Sequence, residues 1–236
     1  MTSKKLLWPE LIPGTLIRRY KRFLADVELE NGETVTAHCP NSGSMTACCA
    51  PGSPVYLSYH DNPRRKLKYT WELIRMPGSL VGVNTLVPNR LVCQSVEGGF
   101  VKELDAYDTV RREVRVGSHS RLDLLLEKGE QEKCFVEIKN CTLVEEDGTA
   151  YFPDAVTLRG RKHLAELERL ALENRCVMFF LIQRCDAKIF RPADHIDPEY
   201  GKKLRVAASQ GVEILVYDVR IDLEGIALNR KLSHIL

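Results

Sequence analysis

Apolar and polar residues alternate along much of the first third of the chain. Between residues 15 and 38, apolar side chains recur at alternate positions on both sides of the pair Asn31-Gly32. A period of two is typical of a half-buried β-strand, and Asn-Gly favours a tight primed turn between two such strands. The pattern therefore predicts a long β-hairpin over residues 15–38.

Three more short apolar runs follow this hairpin, at Pro54–His60, Tyr69–Met76 and Leu80–Val83. Polar segments that contain Pro, Gly and Asn separate the runs, as expected for turns between strands. The beginning of the chain is therefore predicted to form four or five short antiparallel strands. Closing such strands into a small barrel removes their unpaired edges, so we expect a β-barrel here.

Beyond this region the pattern changes to one in which strands and helices alternate. The predicted elements are a helix at Asn89–Val96, strands near Val110–Val116, Leu122–Glu127 and Cys134–Lys139, a helix within residues 157–175, a strand at residues 176–183, a helix at Pro198–Gln210 and a strand at residues 212–219. The strand at residues 176–183 is almost wholly apolar, as a strand covered on both faces is. This alternation predicts an α/β domain. We place the boundary near residues 80–86, which gives domains 1–83 and 84–236.

The composition is that of a soluble globular protein, with 44% hydrophobic and 28% charged residues. No apolar run approaches the ~20 residues that cross a bilayer, and the N-terminal sequence MTSKKLLWPELIPG lacks the sustained apolar core of an export signal. These features predict a cytoplasmic protein that does not enter a membrane. The eight cysteines include no C-x-x-C pair, which favours reduced and mostly buried thiols over a zinc site.

Three charged residues interrupt the otherwise apolar strands of the second domain. Glu137 and Lys139 are two positions apart and therefore point to the same face of their strand, while Asp123 lies on the preceding predicted strand. If these two strands pair, Asp123 and Glu137 meet at one end of the sheet. Two adjacent carboxylates repel each other, and a divalent cation with hard oxygen ligands relieves that repulsion.

These residues predict a site for Mg²⁺ or Mn²⁺ held by Asp123 and Glu137, with the carbonyl oxygen of Ile138 as a further ligand. Lys139 adds a positive charge beside the metal. The arrangement suits phosphodiester hydrolysis, because the metal generates hydroxide and the ammonium stabilises the charge that develops on the phosphate. The alternative is that the three charges form only a solvated strand face or a surface ion pair.

Two further segments are candidates for the same chemistry. The predicted helix that follows carries Arg159, His163 and Glu166 on one face, which either extends the site or is an ordinary polar helix surface. The segment HCPNSGSMT, residues 38–46, is small and polar, and Gly43 is available for a positive φ. Its backbone N–H groups form either an anion-binding concavity or a simple turn.

Basic residues are concentrated near the start of the chain, where residues 1–80 hold 11 Lys and Arg against 7 Asp and Glu. The segment RRYKRF interleaves cations with Tyr20 and Phe23. On a barrel strand it offers cations to phosphates and an aromatic ring to a base, or its aromatic rings belong to the core. A second basic cluster, in DNPRRKLK, contacts phosphates from a loop or serves only solubility. The candidate nucleic-acid contacts are Arg18, Arg19, Lys21, Arg22, Arg64 and Arg65.

Five longer motifs connect the sequence with a known family. The segments HCPNSGSM, FVEIKNCTL, YFPDAVTLRGRKHLAEL, HIDPEY and GVEIL, in this order, resemble the sugar fermentation stimulation protein A family of bacteria and archaea. The resemblance runs from about Thr15 to near the C-terminus. It implies an N-terminal OB-fold-like domain and a C-terminal domain similar to the PD-(D/E)xK nucleases. It also implies DNA binding without sequence specificity and a regulatory role in sugar (maltose) metabolism.

The resemblance also assigns residues. Asp123, Glu137 and Lys139 match the nuclease core, and Glu103 stands loosely where such nucleases often carry another acid. The helical motif RGRKHLAEL departs from the Gln/Tyr version found in many nucleases of this fold. Two functions therefore remain open from the sequence: a DNA-binding regulator without catalysis, and a nuclease that depends on Mg²⁺ or Mn²⁺ and uses the same surface to hold DNA.

Overall fold

The computed structural model describes residues 3–117 and 120–236, which form two large sheets, one small sheet and three α-helices. The strands are β1 (Leu6–Leu7), β2 (Leu11–Tyr20), β3 (Leu24–Leu29), β4 (Thr34–His38), β5 (Pro54–Tyr59), β6 (Tyr69–Met76), β7 (Ser79–Gly82), β8 (Thr109–Val116), β9 (Ser120–Lys128), β10 (Glu132–Cys141), β11 (Leu143–Val144), β12 (Thr149–Phe152), β13 (Arg175–Ile182), β14 (Ile189–Pro192), β15 (Val212–Ile221), β16 (Gly225–Lys231) and β17 (Ser233–His234). The helices are α1 (Val87–Glu97), α2 (Leu158–Leu170) and α3 (Pro198–Ser209).

Strands β2 to β6 form the predicted barrel, and β7 pairs with β6 beside the closed ring. They are hydrogen-bonded in the order β4-β3-β2-β5-β6-β7, and a parallel pairing of β4 with β6 closes the ring. Alternate side chains point inward, and the core they form contains Leu16, Val27 and Trp71, each at most 1% exposed. Closure removes the free edges, as expected for a small barrel.

The predicted hairpin over residues 15–38 is in fact a three-stranded meander of β2, β3 and β4. The hydrogen bond from Leu29 N to Glu33 O leaves a loop of three residues between β3 and β4, not a two-residue primed turn, and within it Gly32 N donates to Leu29 O with a φ of 82°. A turn of this kind with a left-handed glycine is the usual three-residue hairpin loop. The other turn, between β2 and β3, contains Lys21 and Arg22, so half of the segment RRYKRF lies on a turn rather than on a strand.

The second large sheet has the strand order β1-β16-β15-β13-β10-β9-β8. Its centre is parallel, since β10 pairs with β13 and β13 with β15, while the outer strands are antiparallel. Helix α1 packs on one face, and helices α2 and α3 pack on the other. Strands covered on both faces need the continuous apolar sequence seen in β13. The N-terminal strand β1 joins this sheet through β16 rather than the barrel.

Local sequence explains where the two helices beside the future site begin. Helix α1 has Pro at its first turn, and the side chain of Asn84 accepts a hydrogen bond from Leu86 N just before it. Helix α2 begins after Thr157, whose hydroxyl accepts from Gly160 N. Both predicted helices are therefore present, and α2, at Leu158–Leu170, lies within the predicted range 157–175.

The sequence patterns did not predict the small sheet β11-β12-β14-β17, whose strands have two to four residues. Such short strands carry too little alternation to stand out. Six of the eight cysteines are buried, which agrees with the prediction of mostly buried thiols. Within the described ranges, no helix has the length and apolarity that crossing a lipid bilayer requires.

Candidate functional site

A cleft of about 410 Å³ lies between the barrel and the second sheet. It opens at the C-terminal half of β10, where β10 separates from β9, and clefts at the carboxyl ends of parallel strands are the usual ligand sites of α/β sheets. The barrel contributes residues of the β2–β3 turn and of the loop after β4. The charged and amide side chains in its lining are Arg22, Asn41, Asn89, Asp123, Glu137, Lys139, Asn140, Asp154, Arg159 and His163.

Asp123 lies where the ladder between β9 and β10 ends. The last paired residues are Val136 and Leu124, and beyond them the Asp123 carboxylate inserts between the strands. Its Oδ2 accepts a hydrogen bond from Ile138 N at 2.7 Å, and its Oδ1 accepts from Asn89 Nδ2, also at 2.7 Å. Burial, and after it the charge of the neighbouring Glu137, raise the pKa of Asp123 to about 6. The carboxylate is therefore held in a place that disfavours its negative charge.

Glu137 is only 2% exposed and faces helix α2. Its Oε1 contacts both Lys139 Nζ and His163 Nδ1, whereas its buried Oε2 has no hydrogen-bond partner. Burial acts to raise its pKa, but the hydrogen bond from His163 and the charge of Lys139 outweigh burial and hold the pKa of Glu137 below its usual value. A buried, ionised carboxylate with one unpartnered oxygen is costly unless another group satisfies that oxygen.

His163 links helix α2 to this carboxylate. Its Nδ1 meets Glu137 Oε1, and its Nε2 lies 3.5 Å from Arg159 Nε, which donates to it. Both contacts fit one neutral tautomer, with the proton on Nδ1 and the lone pair on Nε2. The 3.1 Å approach of Lys139 Nζ to Nδ1 is then a close contact beside Glu137 rather than a second donated hydrogen bond. Helix α2 thus orients Glu137 and carries Arg159 at the cleft.

The donor chemistry of the cleft fits a hard divalent cation. Two carboxylates converge there, one with a raised pKa and one with a buried oxygen that lacks a partner. A cation would stabilise the charge of the first and satisfy the second. In the described ranges, no group of three or more His, Cys, Asp or Glu side chains is placed to hold a metal. A cation here would therefore need further ligands from backbone carbonyls or water, as Mg²⁺ commonly has.

Of the six basic residues predicted to contact nucleic acid, the structure brings Arg22 to the cleft. Arg22 and the preceding Lys21 are exposed and have positive φ values of 62° and 48°. Arg19 points inward instead, and its guanidinium donates to backbone carbonyls, including that of Arg22. Arg18 pairs with Asp26 at 2.9 Å.

The other two predicted contacts lie away from the carboxylates. Arg64 and Arg65 belong to the loop between β5 and β6, and neither lines the cleft. Arg65 donates to Thr70 Oγ1 at 2.8 Å and lines a separate cavity that also contains His38. The structure therefore divides the predicted basic residues between the cleft and a loop whose Arg65 lines a separate cavity.

Two further acids considered from the sequence, Glu103 and Glu166, do not line the cleft. Glu103 does not join Asp123, because its carboxylate pairs with Lys231 at 2.6 Å and accepts from the hydroxyl of Tyr217. Glu166 turns away from the cleft and pairs with Arg169 one helical turn later. Both acids have a nearer cation, which a search for spacing alone does not detect.

Asn89 was missed, although it holds Asp123 Oδ1. The available signal was a polar side chain in the first turn of a helix that otherwise buries apolar residues. Gly43, which was available for a positive φ, does not adopt one, whereas Met45 in the same loop does, at 57°. Gly43 is needed for a different reason: a Cβ at this position would lie 2.4 Å from Asp154 Oδ2.

Comparisons with known proteins cover both parts of the chain. Residues 86–225 match the family described as sugar fermentation stimulation protein RE domain, and residues 17–83 match the SfsA N-terminal OB domain. Relatives named sugar fermentation stimulation protein homolog include one from Geotalea uraniireducens, 58% identical over 94% of this chain and 96% of its own length. Another, from Geotalea daltonii, is 55% identical over 98% of this chain and 99% of its own length.

A solved structure has the same architecture. The structure of Pyrococcus furiosus SfsA in complex with Ca²⁺ superimposes with a TM-score of 0.90 at 27% sequence identity, and the match covers 100% of both chains. These comparisons confirm the predicted fold class, an OB-fold barrel followed by an α/β domain.

Proposed function

Because the chain belongs to the sugar fermentation stimulation protein family, we propose that it binds DNA, without reading base sequence, in the cleft between its two domains. One observation carries this proposal: both domains direct cations into the same cleft. Arg22 comes from the barrel and Arg159 from the second domain, and Lys139, whose Nζ is bonded to Glu137, completes the cationic lining. Cations on two sides of a groove are suited to follow a phosphate backbone.

The chemistry of these groups explains the expected lack of sequence preference. Arginine and lysine bind phosphate oxygens, which are the same in every sequence, whereas base recognition needs donors and acceptors aimed at base edges. Counterions leave the DNA when cations bind its phosphates, so affinity falls as salt rises.

Titration of two labelled DNAs of unrelated sequence, in EDTA and at several salt concentrations, tests the proposal. We expect similar affinities for both sequences and a linear fall of log affinity with log salt. Strong preference for one sequence, or affinity that does not change with salt, would contradict it.

We further infer that DNA binding by this chain regulates sugar metabolism, and maltose metabolism in particular. The name shared by its relatives supports a link to sugar fermentation. The test compares the expression of maltose-utilisation genes in a strain that lacks the chain with the same strain complemented by the wild type or by Arg22→Ala/Arg159→Ala. We expect the wild type to restore expression and the variant to fail. Equal restoration by both would show that the regulatory role does not depend on the cleft.

A second candidate function, metal-dependent hydrolysis of phosphodiester bonds, is favoured by a different observation. Glu137 Oε2 is buried without a partner beside Asp123, at the same cleft as the three cations. These two carboxylates would hold Mg²⁺ or Mn²⁺. The related structure from Pyrococcus furiosus is in complex with Ca²⁺, a cation that also prefers oxygen ligands. A bound cation of this type supplies activation of water and polarisation of the phosphate.

The chain's own residues have separable roles in such a reaction. Lys139 lies beside Glu137 and stabilises negative charge that develops on the phosphate. His163 holds Glu137 Oε1, which leaves Oε2 for the cation, and Asn89 and Ile138 N hold Asp123. Arg159 is exposed at the cleft and binds a phosphate oxygen of the substrate.

Incubation of end-labelled DNA with Mg²⁺, Mn²⁺ or EDTA distinguishes the two functions. Cleavage that needs metal and is lost in Asp123→Asn/Glu137→Gln supports hydrolysis. Retention of DNA without cleavage under every condition leaves DNA binding as the function and removes the catalytic proposal.

A further inference from the structure

We propose that the cleft accepts single-stranded DNA, including the single-stranded end of a duplex, and excludes an intact double helix. The inference rests on the proposed DNA binding and adds the class of substrate. It comes from the loop Pro40–Met45, called here the roof, which faces the carboxylates across the cleft and is attached on two sides.

The first attachment joins the roof to the segment before helix α1. Thr85 donates to Pro40 O through both its backbone N–H and its hydroxyl, and Asn41 Nδ2 donates to Val83 O at 3.2 Å. These bonds hold the beginning of the roof beside the helix that carries Asn89.

The second attachment joins the other end of the roof to the segment before helix α2. Ser44 Oγ donates to Asp154 O at 2.6 Å, and Met45 N donates to Asp154 Oδ2 at 3.1 Å. Gly43 allows the two segments to approach, since any side chain there would overlap the Asp154 carboxylate. The barrel and the second domain are therefore in direct contact on both sides of the cleft.

The roof is also fixed from within the barrel. The guanidinium of Arg19 donates to the carbonyls of Asn41, Gly43 and Ser44 at 2.8 to 3.0 Å. Met45 has a left-handed backbone, and its side chain is 1% exposed in the barrel core. A non-glycine residue in this conformation persists only where its surroundings impose it. Opening the roof would break these bonds together.

The space under the roof matches a strand rather than a duplex. Its volume of about 410 Å³ lies within the ~300–1,000 Å³ of pockets that hold a small molecule. Phe23, directly after Arg22, is 46% exposed. An exposed aromatic ring beside a phosphate-binding cation is typical of barrels that stack the bases of single strands.

The test measures binding of three labelled DNAs of one sequence in EDTA: a single strand, a duplex closed by hairpins at both ends, and a duplex with a single-stranded overhang. We expect the single strand and the overhang to bind at least about tenfold more tightly than the closed duplex. Equal affinity for the closed duplex and the single strand would overturn the inference while leaving DNA binding intact. Absence of binding to all three would refute the proposed function itself.

A pair of variants links the preference to the roof. Ser44→Ala/Asp154→Ala removes the second attachment. The matched control, Asp147→Ala/Ser209→Ala, removes the two hydrogen bonds that the Asp147 carboxylate accepts from Thr149 and the one that Ser209 Oγ donates to Val206 O, all away from the cleft. The roof variant should reduce the single-strand preference to about threefold or less, and the control should keep the wild-type preference. An unchanged single-strand preference in a folded roof variant would contradict the role of the roof. If that variant does not fold, the binding of the three DNAs by the wild type still decides whether the cleft prefers a single strand.

Discussion

Replacing Asp123 by asparagine is expected to make the metal-free protein more stable at pH 8. The carboxylate of Asp123 lies beside Glu137 in a largely buried position, and its two hydrogen bonds come from neutral donors. Asparagine has nearly the same shape and keeps an oxygen for Ile138 N, and rotation of the Asn89 amide gives the new NH₂ group an acceptor. The substitution therefore removes the buried charge with little change in packing.

The size of the effect follows from the pKa of Asp123, which rises from an ordinary value of 3.8 to about 6. One pKa unit corresponds to ~1.4 kcal/mol, so this shift represents at most about 3 kcal/mol of unfavourable free energy for the ionised form. Residual solvent and the retained hydrogen bonds reduce the measurable gain to roughly 1–2 kcal/mol. Stability gained by neutralising a residue is typical of functional sites.

The pH dependence has a defined sign. A raised pKa in the folded state means that ionised Asp123 destabilises the fold above pH 6, and that protonation relieves this cost as the pH falls from 6 towards 4. Urea unfolding in EDTA at pH 8 and pH 5 measures the difference between variant and wild type. We expect the variant to be more stable at pH 8 and the difference to shrink at pH 5.

Asp218→Asn is the matched control, because Asp218 is also buried but accepts hydrogen bonds from Arg230 and Asn229. Removing a buried charge that has a cationic partner should destabilise the protein. An Asp123→Asn variant that is less stable at pH 8, or a difference that does not change between pH 8 and pH 5, would refute the reasoning.

Three other predictions test separate parts of the account. Lys139→Ala should lower the rate of metal-dependent cleavage at saturating DNA by about 10²-fold in single-turnover assays, while DNA affinity changes by less than about threefold. Equal losses of cleavage rate and of DNA affinity would make Lys139 a simple phosphate contact. Mn²⁺ at about 100 times its Kd should raise the free energy of unfolding of the wild type by ~2.7 kcal/mol. If calorimetry shows the same metal affinity for Glu137→Gln as for the wild type, a metal site at Glu137 is contradicted. Arg19→Lys should reduce the free energy of unfolding by about 1–3 kcal/mol, because a lysine cannot bond all the carbonyls that Arg19 bonds. Urea unfolding curves that coincide with those of the wild type would contradict this structural role.

Sequence periodicity was sufficient to bring the central residues together. Because side chains alternate along a strand, Glu137 and Lys139 had to share a face, and pairing of the two strands then placed Asp123 beside them. The same alternation predicted the barrel strands, and apolar runs predicted the covered strands of the second sheet. These features depend only on the spacing of residues along the chain, which can be read from the sequence without knowledge of the tertiary structure.

Contacts between distant segments were not available from spacing. Nothing in the sequence near Arg19 shows that its donors meet the carbonyls of the roof rather than phosphates. Likewise, Glu103 has the residue type of a metal ligand, and only the position of Lys231, far along the chain, explains why it is not at the cleft. The partner that a charged side chain finds is a property of the tertiary structure.

The central claim is that DNA lies in the cleft between the domains, and the most direct measurement compares DNA binding by Arg22→Ala/Arg159→Ala with the wild type. Fluorescence anisotropy in EDTA over a range of salt concentrations should show at least about tenfold weaker binding and a log–log salt slope smaller by roughly 1.5, since two phosphate contacts are lost. Lys202→Ala/Arg220→Ala, which removes two exposed cations outside the cleft, should behave as the wild type. Unchanged affinity and slope in Arg22→Ala/Arg159→Ala would contradict binding in the cleft.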